Sequence, residues 1–150
     1  MIRIDWIQLC EMAFLDDCDR LCMVGVMTRF PAPELPIAMR QIMIVVRVKD
    51  AQPKESFTVG VSMVTPSGLT LHPQNADGFD IAVTPEYIFI TLRDIPLSEE
   101  GMHHLAITVG SGAPASIHVP VRVVKNQAPM GGQGRHQVGA ASWVSGRQVN

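Results

Sequence analysis

Tyrosine occurs once and tryptophan twice among the 150 residues, and aromatic side chains make up only 5% of the chain. Beside 12 glycines and 11 prolines, this is the profile of many short elements separated by turns. Basic charge is scarce as well: 12 Lys and Arg stand against 14 Asp and Glu, a formal net charge of −2. A surface that tracks phosphates needs a cationic surplus, so nucleic-acid binding is disfavoured. Long apolar runs are missing too. The longest, residues 42–46, is bounded by Gln41 and Arg47, well short of the roughly 18 residues that would span a membrane. The opening MIRIDWIQLCEM carries Arg3, Asp5 and Glu11 where a secretory signal needs an unbroken apolar core, and no small-residue cleavage site follows. The expectation is a soluble, unsecreted protein with no membrane partner.

Cysteine is the next scarcity. Three in the chain, Cys10, Cys18 and Cys22, are too few and odd in number for a disulfide framework, and free thiols fit a reducing compartment. This points to a cytoplasm of bacterial type. Absent as well is any run of about ten residues with apolar side chains three and four apart, the mark of an amphipathic helix. The chain is long enough for one ordinary domain, and its 47% hydrophobic content is ample for a core.

What is present is period-two alternation. Ile2, Ile4, Trp6, Cys10, Met12 and Phe14 fall on even positions and Arg3, Asp5 and Glu11 on odd ones, with Ile7 and Leu9 also apolar, so 2–14 reads as a strand whose middle is buried on both faces. After the turn Asp16-Asp17-Cys18-Asp19, residues 21–27 are apolar except Gly25, a second interior strand or one bulged at Gly25. Prolines 31, 33 and 36 make 30–36 an extended connector. Further strands are expected over 42–48, 57–63, 69–71, 79–83, 87–92, 105–109 and 117–123, with a single helical turn over 94–101 and an edge strand at Pro120. Eight or nine short strands without a helix spell an all-β antiparallel sandwich. A closed barrel is the alternative, which the two proline sites disfavour by implying open edges.

The stretch 6–30 gathers every cysteine and the densest set of reactive side chains. If its two apolar runs close as a hairpin on the acidic turn, residues whose numbers add to about 35 face each other, setting Cys22 near Ala13 and Cys10 near Gly25. Cys10 and Cys22 then lie roughly 10 Å apart, beyond disulfide reach, and both become small core residues. Cys18 sits among aspartates, which disfavour its thiolate and hence nucleophilic use. Their spacing also lacks the second pair of ligands that a structural zinc needs.

Asp16, Asp17 and Asp19 in this turn, and Asn75, Asp77 and Asp80 in NADGFD, are the weak candidates for holding a hard cation. Neither set follows the ligand spacing of an EF-hand, and Asx residues beside glycine also serve turn geometry. Of His72, His103, His104, His118 and His136, only His104 and His118 are expected on polar faces of adjacent strands, as a solvated pair. No serine stands in a nucleophile elbow and no glycine-rich loop leads into a helix, so neither a catalytic set nor a cofactor is expected.

From Lys125 onward the composition changes. Residues 125–150 hold five glycines and no acid, which leaves residues 1–124 as the sandwich domain with a formal −5, followed by a flexible tail carrying Lys125, Arg135, Trp143 and Arg147.

Taken together, LCEMAFLDDCDRLCMVGVMTRFPAPELP, the QIMIVVRV strand, the TPSG turn and IPLSEEGMHHLAITVG resemble a family of small bacterial proteins of unknown function, over about residues 4–124. The resemblance implies a compact immunoglobulin-like sandwich in the bacterial cytoplasm and carries no assigned activity. Members often have an aromatic residue shortly after the glycine of the Glu-Glu-Gly turn. Here Met102-His103-His104 stands in that place, against tyrosine-corner packing. The function expected is a non-enzymatic protein-interaction or assembly module, self-associating through a strand edge. The alternatives are a ligand- or cation-binding domain on loops 16–19 and 75–80, or a component of a viral or secretion-like assembly.

Overall fold

The computed structural model describes residues 2–52, 56–73 and 78–124. Among them are eleven strands and no α-helix: β1 Arg3–Cys10, β2 Met12–Leu15, β3 Leu21–Val24, β4 Phe30–Ala32, β5 Ile37–Lys49, β6 Val59–Val64, β7 Thr70–Leu71, β8 Phe79–Val83, β9 Tyr87–Leu97, β10 Gly101–Val109 and β11 Ala115–Val123.

Two sheets form the body, in the orders β1-β5-β9-β8 and β4-β11-β10-β6-β7. If β1 is taken as strand A, the following sandwich strands run B (β5), C (β6), C′ (β7), D (β8), E (β9), F (β10) and G (β11). The first sheet is then ABED, and the second contains GFC with C′ beside it, which is the strand plan of an immunoglobulin-like sandwich. The short β4 runs parallel to β11, with Val121 opposite Phe30 and Val123 opposite Ala32.

Alternation dictates the core. Ile42, Ile44 and Val46 of β5 and Ile88, Ile90 and Leu92 of β9 point one way and are buried against Val61 and Met63 of β6, Leu105, Ile107 and Val109 of β10, and Val119 and Val121 of β11. The β-branched residues fill this pleated interior because their stiff side chains lose little freedom there.

The strand expected over 2–14 is two strands in two sheets. A register shift between Ile4 and Trp6 in the β1–β5 pairing switches the phase of β1: Ile2 and Ile4 pack into the sandwich from even positions, and Ile7 and Leu9 from odd ones. That bulge is why the segment read as apolar on both faces. At Glu11 the chain leaves the sheet, and β2 and β3 form a separate two-stranded hairpin. Its register sets Met12 opposite Val24 and Phe14 opposite Cys22, one residue away from the expected pairing. A slip of one exchanges faces, so Cys22 is half-buried on the outer side of the hairpin, not in the core. Cys10 is fully buried as expected, but in β1, opposite Met43.

Three other expectations change. Residues 94–97 are not a helical turn but the end of β9, held by β5 through the Ile37–Leu97 and Met39–Ile95 pairs, with a local irregularity at Asp94, whose φ is 53°. Pro120 lies in β11, which β10 and β4 flank, so β11 is not an edge strand. The strand tolerates the proline because β4 pairs only from Val121 onward. The connector over 30–36 includes an edge strand, β4, carrying Pro31. The division proposed at residue 124 concerns residues 125–150, which lie outside the described residues.

Candidate binding surfaces

The hairpin β2–β3 lies over the outer face of the ABED sheet and closes a second, smaller core. Ala13 with Leu15, Leu21 and Met23 covers Cys10, Val45 and Phe89, flanked by Trp6, Met43 and Tyr87. Val45 and Phe89 point away from the sandwich interior yet are buried, Val45 completely. Tyr87 bridges two aromatic neighbours at tilted geometry, with ring centroids 6.1 Å from Trp6 and 6.2 Å from Phe89, the arrangement that ring quadrupoles favour. Polar ties fix the hairpin in place. The Ala13 N–H donates to Met43 Sδ at 3.2 Å, and the Glu11 N–H is shared between the carbonyls of Val24 and Gly25 at 3.0 and 3.2 Å. Gly25 makes the exit turn with φ +64°, where a side chain would be strained, and a Cβ there would come within 2.7 Å of the Glu11 side chain, so the position favours glycine.

The other face of the hairpin is apolar and, among the described residues, uncovered. Met12, Phe14 and Val24 are 48%, 45% and 48% exposed, and Val26, just beyond β3, is exposed as well. Glu11 at the start of the hairpin and Asp17, Asp19 and Arg20 at its tip are exposed. Burial without a charged partner pushes the Cys10 thiol above its ordinary range.

The acidic turn at the hairpin tip is occupied with its own geometry. Asp16 accepts from the backbone N–H of Cys18 and of Arg20, both at 2.9 Å, and from the Arg20 guanidinium at 2.7 Å. The Arg20 side chain first, and its N–H next, hold the Asp16 carboxyl below the usual carboxylate range. Asp19 takes positive φ, 58°, as an Asx residue in such a turn does. Asp19 also lines a cleft of about 340 Å³ against the β8–β9 turn, with Leu15, Thr84, Glu86 and Tyr87. Asp80 does not reach it. It stands near the other end of β8, paired with Arg93 at 2.5 Å. Asn75 and Asp77 lie outside the described residues. Among the described residues, no three His, Cys, Asp or Glu side chains converge where they could hold a metal ion.

His104 and His118 are direct cross-strand partners, and their rings stack with centroids 4.2 Å apart. The pair is less solvated than expected: His118 is exposed, but His104 is half-buried and its Nε2 is buried without a partner among the described residues. His103 was not placed by the sequence reading. It is 1% exposed, and its Nδ1 lies 3.2 Å from the Gly101 carbonyl. A carbonyl only accepts, so Nδ1 carries a proton, while Nε2 is buried with no partner among the described residues. His103 stands at the start of strand F, two residues before the core Leu105, and bonds back to the upstream backbone. In immunoglobulin domains a tyrosine does this at the same corner. The signal was available, because His103 is in phase with Leu105, Ile107 and Val109.

A comparison with curated proteins gives no match. Among solved structures, the chain is similar to one in the crystal structure of Dpr1 IG1 bound to DIP-eta IG1, at 16% identity over 64% of this chain and 86% of that chain, with a TM-score of 0.33. The immunoglobulin-like class rests on the strand plan, not on that likeness. The sequence itself carries the closer relationship: residues 5–122, from the bulge of β1 to the end of β11, match a family of unknown function (DUF6941), and the chain belongs to that family.

Proposed function

We propose that the chain is a cytoplasmic protein-interaction or assembly module that docks a partner on the outer face of the β2–β3 hairpin. One observation carries this reading: Met12, Phe14 and Val24, each about half exposed, lie on one face of a hairpin whose other face packs on the sheet, and Val26 just beyond the hairpin is exposed as well. Contiguous exposed apolar side chains with a polar rim mark interaction surfaces on soluble domains. The exposed Glu11, Asp17 and Asp19 at the two ends of the hairpin are acidic, with Arg20 paired to Asp16, so the partner's surface is apolar at its centre and basic at its edge. Free thiols at Cys18, exposed, and Cys22, half-buried, fit the reducing compartment.

The test uses the full-length chain carrying Phe14→Ser and Val24→Ser together. Both side chains point away from the packed face, so circular dichroism and the melting temperature are expected to stay near wild type. Proteins that copurify with the wild type are expected to be lost from the double variant and to be eluted from the wild type by raised salt. Retention of the same proteins by a folded double variant overturns the reading.

A further inference from the structure

An immunoglobulin-like sandwich has open sheet edges, and soluble proteins blunt such edges with charge, proline, bulges or brevity. Three of the four outer strands here are blunted in this way. In β1, Arg3 and Asp5 are paired with Asp50 and Lys49, and the strand carries the bulge at Ile4/Trp6. β4 has three residues with Pro31 at its centre, and β7 has two residues. β8, FDIAV, has no proline and no bulge, and its one charge, Asp80, is paired with Arg93 on the neighbouring β9.

The backbone of β8 shows which groups are free. The Thr84 N–H donates to the Tyr87 carbonyl at 2.8 Å, and the Arg93 N–H to the Gly78 carbonyl at 3.0 Å. In an antiparallel pair, hydrogen-bonded positions alternate, so Asp80 and Ala82 also turn their polar groups toward β9. Phe79, Ile81 and Val83 turn theirs outward, where no described strand receives them. The same three residues point to the sandwich interior, opposite Leu92, Ile90 and Ile88. Ile90 and Ile88 are completely buried, but Ile81 and Val83 are 39% and 54% exposed. The facing sheet ends at the two-residue β7.

We infer that two copies of this chain join antiparallel along β8, about a two-fold axis at Ile81, into one continuous sheet. The strand is complementary to itself in this register. Ile81 meets Ile81 of the second copy, and Phe79 meets Val83, so apolar side chains cover one another on the interior side. Asp80 meets Ala82, so no two carboxylates oppose each other. The three outward-facing residues of each copy are all at hydrogen-bonded positions of the new pair. This contact is separate from the hairpin face and does not depend on it.

Light scattering of the full-length chain is expected to show a mass that doubles with rising concentration, and Val83→Lys, at a half-exposed edge position, is expected to return it to that of one chain. Phe14→Ser with Val24→Ser should leave the doubling unchanged. With Cys18→Ser and Cys22→Ser as background, Ile81→Cys is expected to crosslink two chains under mild oxidation, because opposed Cα atoms at such a position lie about 5.5 Å apart, within disulfide reach. Asp80→Cys is expected to crosslink at most a tenth as fast. A single-chain mass at millimolar concentration overturns the inference. So does a dimer that survives Val83→Lys, or one that forms no crosslink through position 81. Loss of doubling in the hairpin variant, with Val83→Lys silent, assigns self-association to the hairpin instead.

Discussion

The carboxylate of Glu99 accepts from both the hydroxyl and the N–H of Ser67, at 2.7 and 3.1 Å, and so ties the turn after β9 to the turn after β6. The Ser67 hydroxyl is the main cause, followed by the Ser67 N–H and the Thr65 hydroxyl, that holds the Glu99 carboxyl below its ordinary value of 4.5. A carboxyl lowered in the folded state stabilises the fold above its unfolded value, and that contribution is lost as pH falls through the lower folded value. The melting temperature is therefore expected to drop as the pH is taken from about 6 to about 3. Glu99→Gln should lie below wild type at the upper end of this range and converge with it at the lower end. Asp16, lowered mainly by Arg20, keeps part of the dependence in the variant.

His103 sits against that same corner, and its buried Nε2 has no partner among the described residues. An unpartnered buried polar atom costs roughly 1–3 kcal/mol, and the volume of the ring still fills the core. His103→Leu is thus expected to leave stability within about 1 kcal/mol of wild type or raise it, since water can take over the exposed Gly101 carbonyl. His103→Ala opens a cavity and should cost about 2–4 kcal/mol. Urea unfolding of the two variants separates the contributions. An equal loss in both would show that the Nδ1 bond, not packing, matters at this corner.

The three thiols differ in access. Cys18 is exposed, Cys22 half-buried, and Cys10 completely buried with its thiol raised. A thiol reagent near neutral pH is expected to modify Cys18 first and Cys22 more slowly, and to reach Cys10 only on unfolding, because reaction needs an accessible thiolate. Mass spectrometry of partly labelled protein gives the order. Modification of Cys10 before Cys22 would contradict the placement of Cys22 on the outer hairpin face.

Alternation alone made the sandwich legible. Ile42–Ile44–Val46, Val61–Met63, Ile88–Ile90–Leu92 and Leu105–Ile107–Val109 each repeat every second residue, and all are core. What alternation cannot register is a change of partner within one apolar run. Between Arg3 and Leu15 the chain bulges and then leaves one sheet for a hairpin, but its hydropathy stays continuous because both cores demand apolar side chains. The short continuation of β9 through Pro96 was hidden for a related reason: the pairing that holds it is with Ile37–Met39, over fifty residues away. Of the candidate surfaces, the acidic turn was visible as a turn. The exposed face of the hairpin was not, since Met12, Phe14 and Val24 look like core residues until the register is known.

The hairpin packs on the outer side of a sheet whose inner side already has a complete core, and the two cores share no buried residue. Exchanging residues 12–25 for a short Ser-Gly turn keeps the Leu9–Met27 bridge and every sandwich strand. It uncovers Val45, Phe89 and Trp6. Each buried apolar side chain of this size contributes about 1.5–3 kcal/mol, and Val45 and Phe89 are the two buried ones, so the shortened chain is expected to lose roughly 3–6 kcal/mol and to expose a new apolar surface to a hydrophobic dye. It should still unfold in one cooperative transition with a β-rich circular dichroism spectrum, because the sandwich interior is untouched. A shortened chain without a cooperative transition would mean that β2 and β3 belong to the folding unit itself, and the hairpin would then be part of the sandwich's support rather than a surface carried on it.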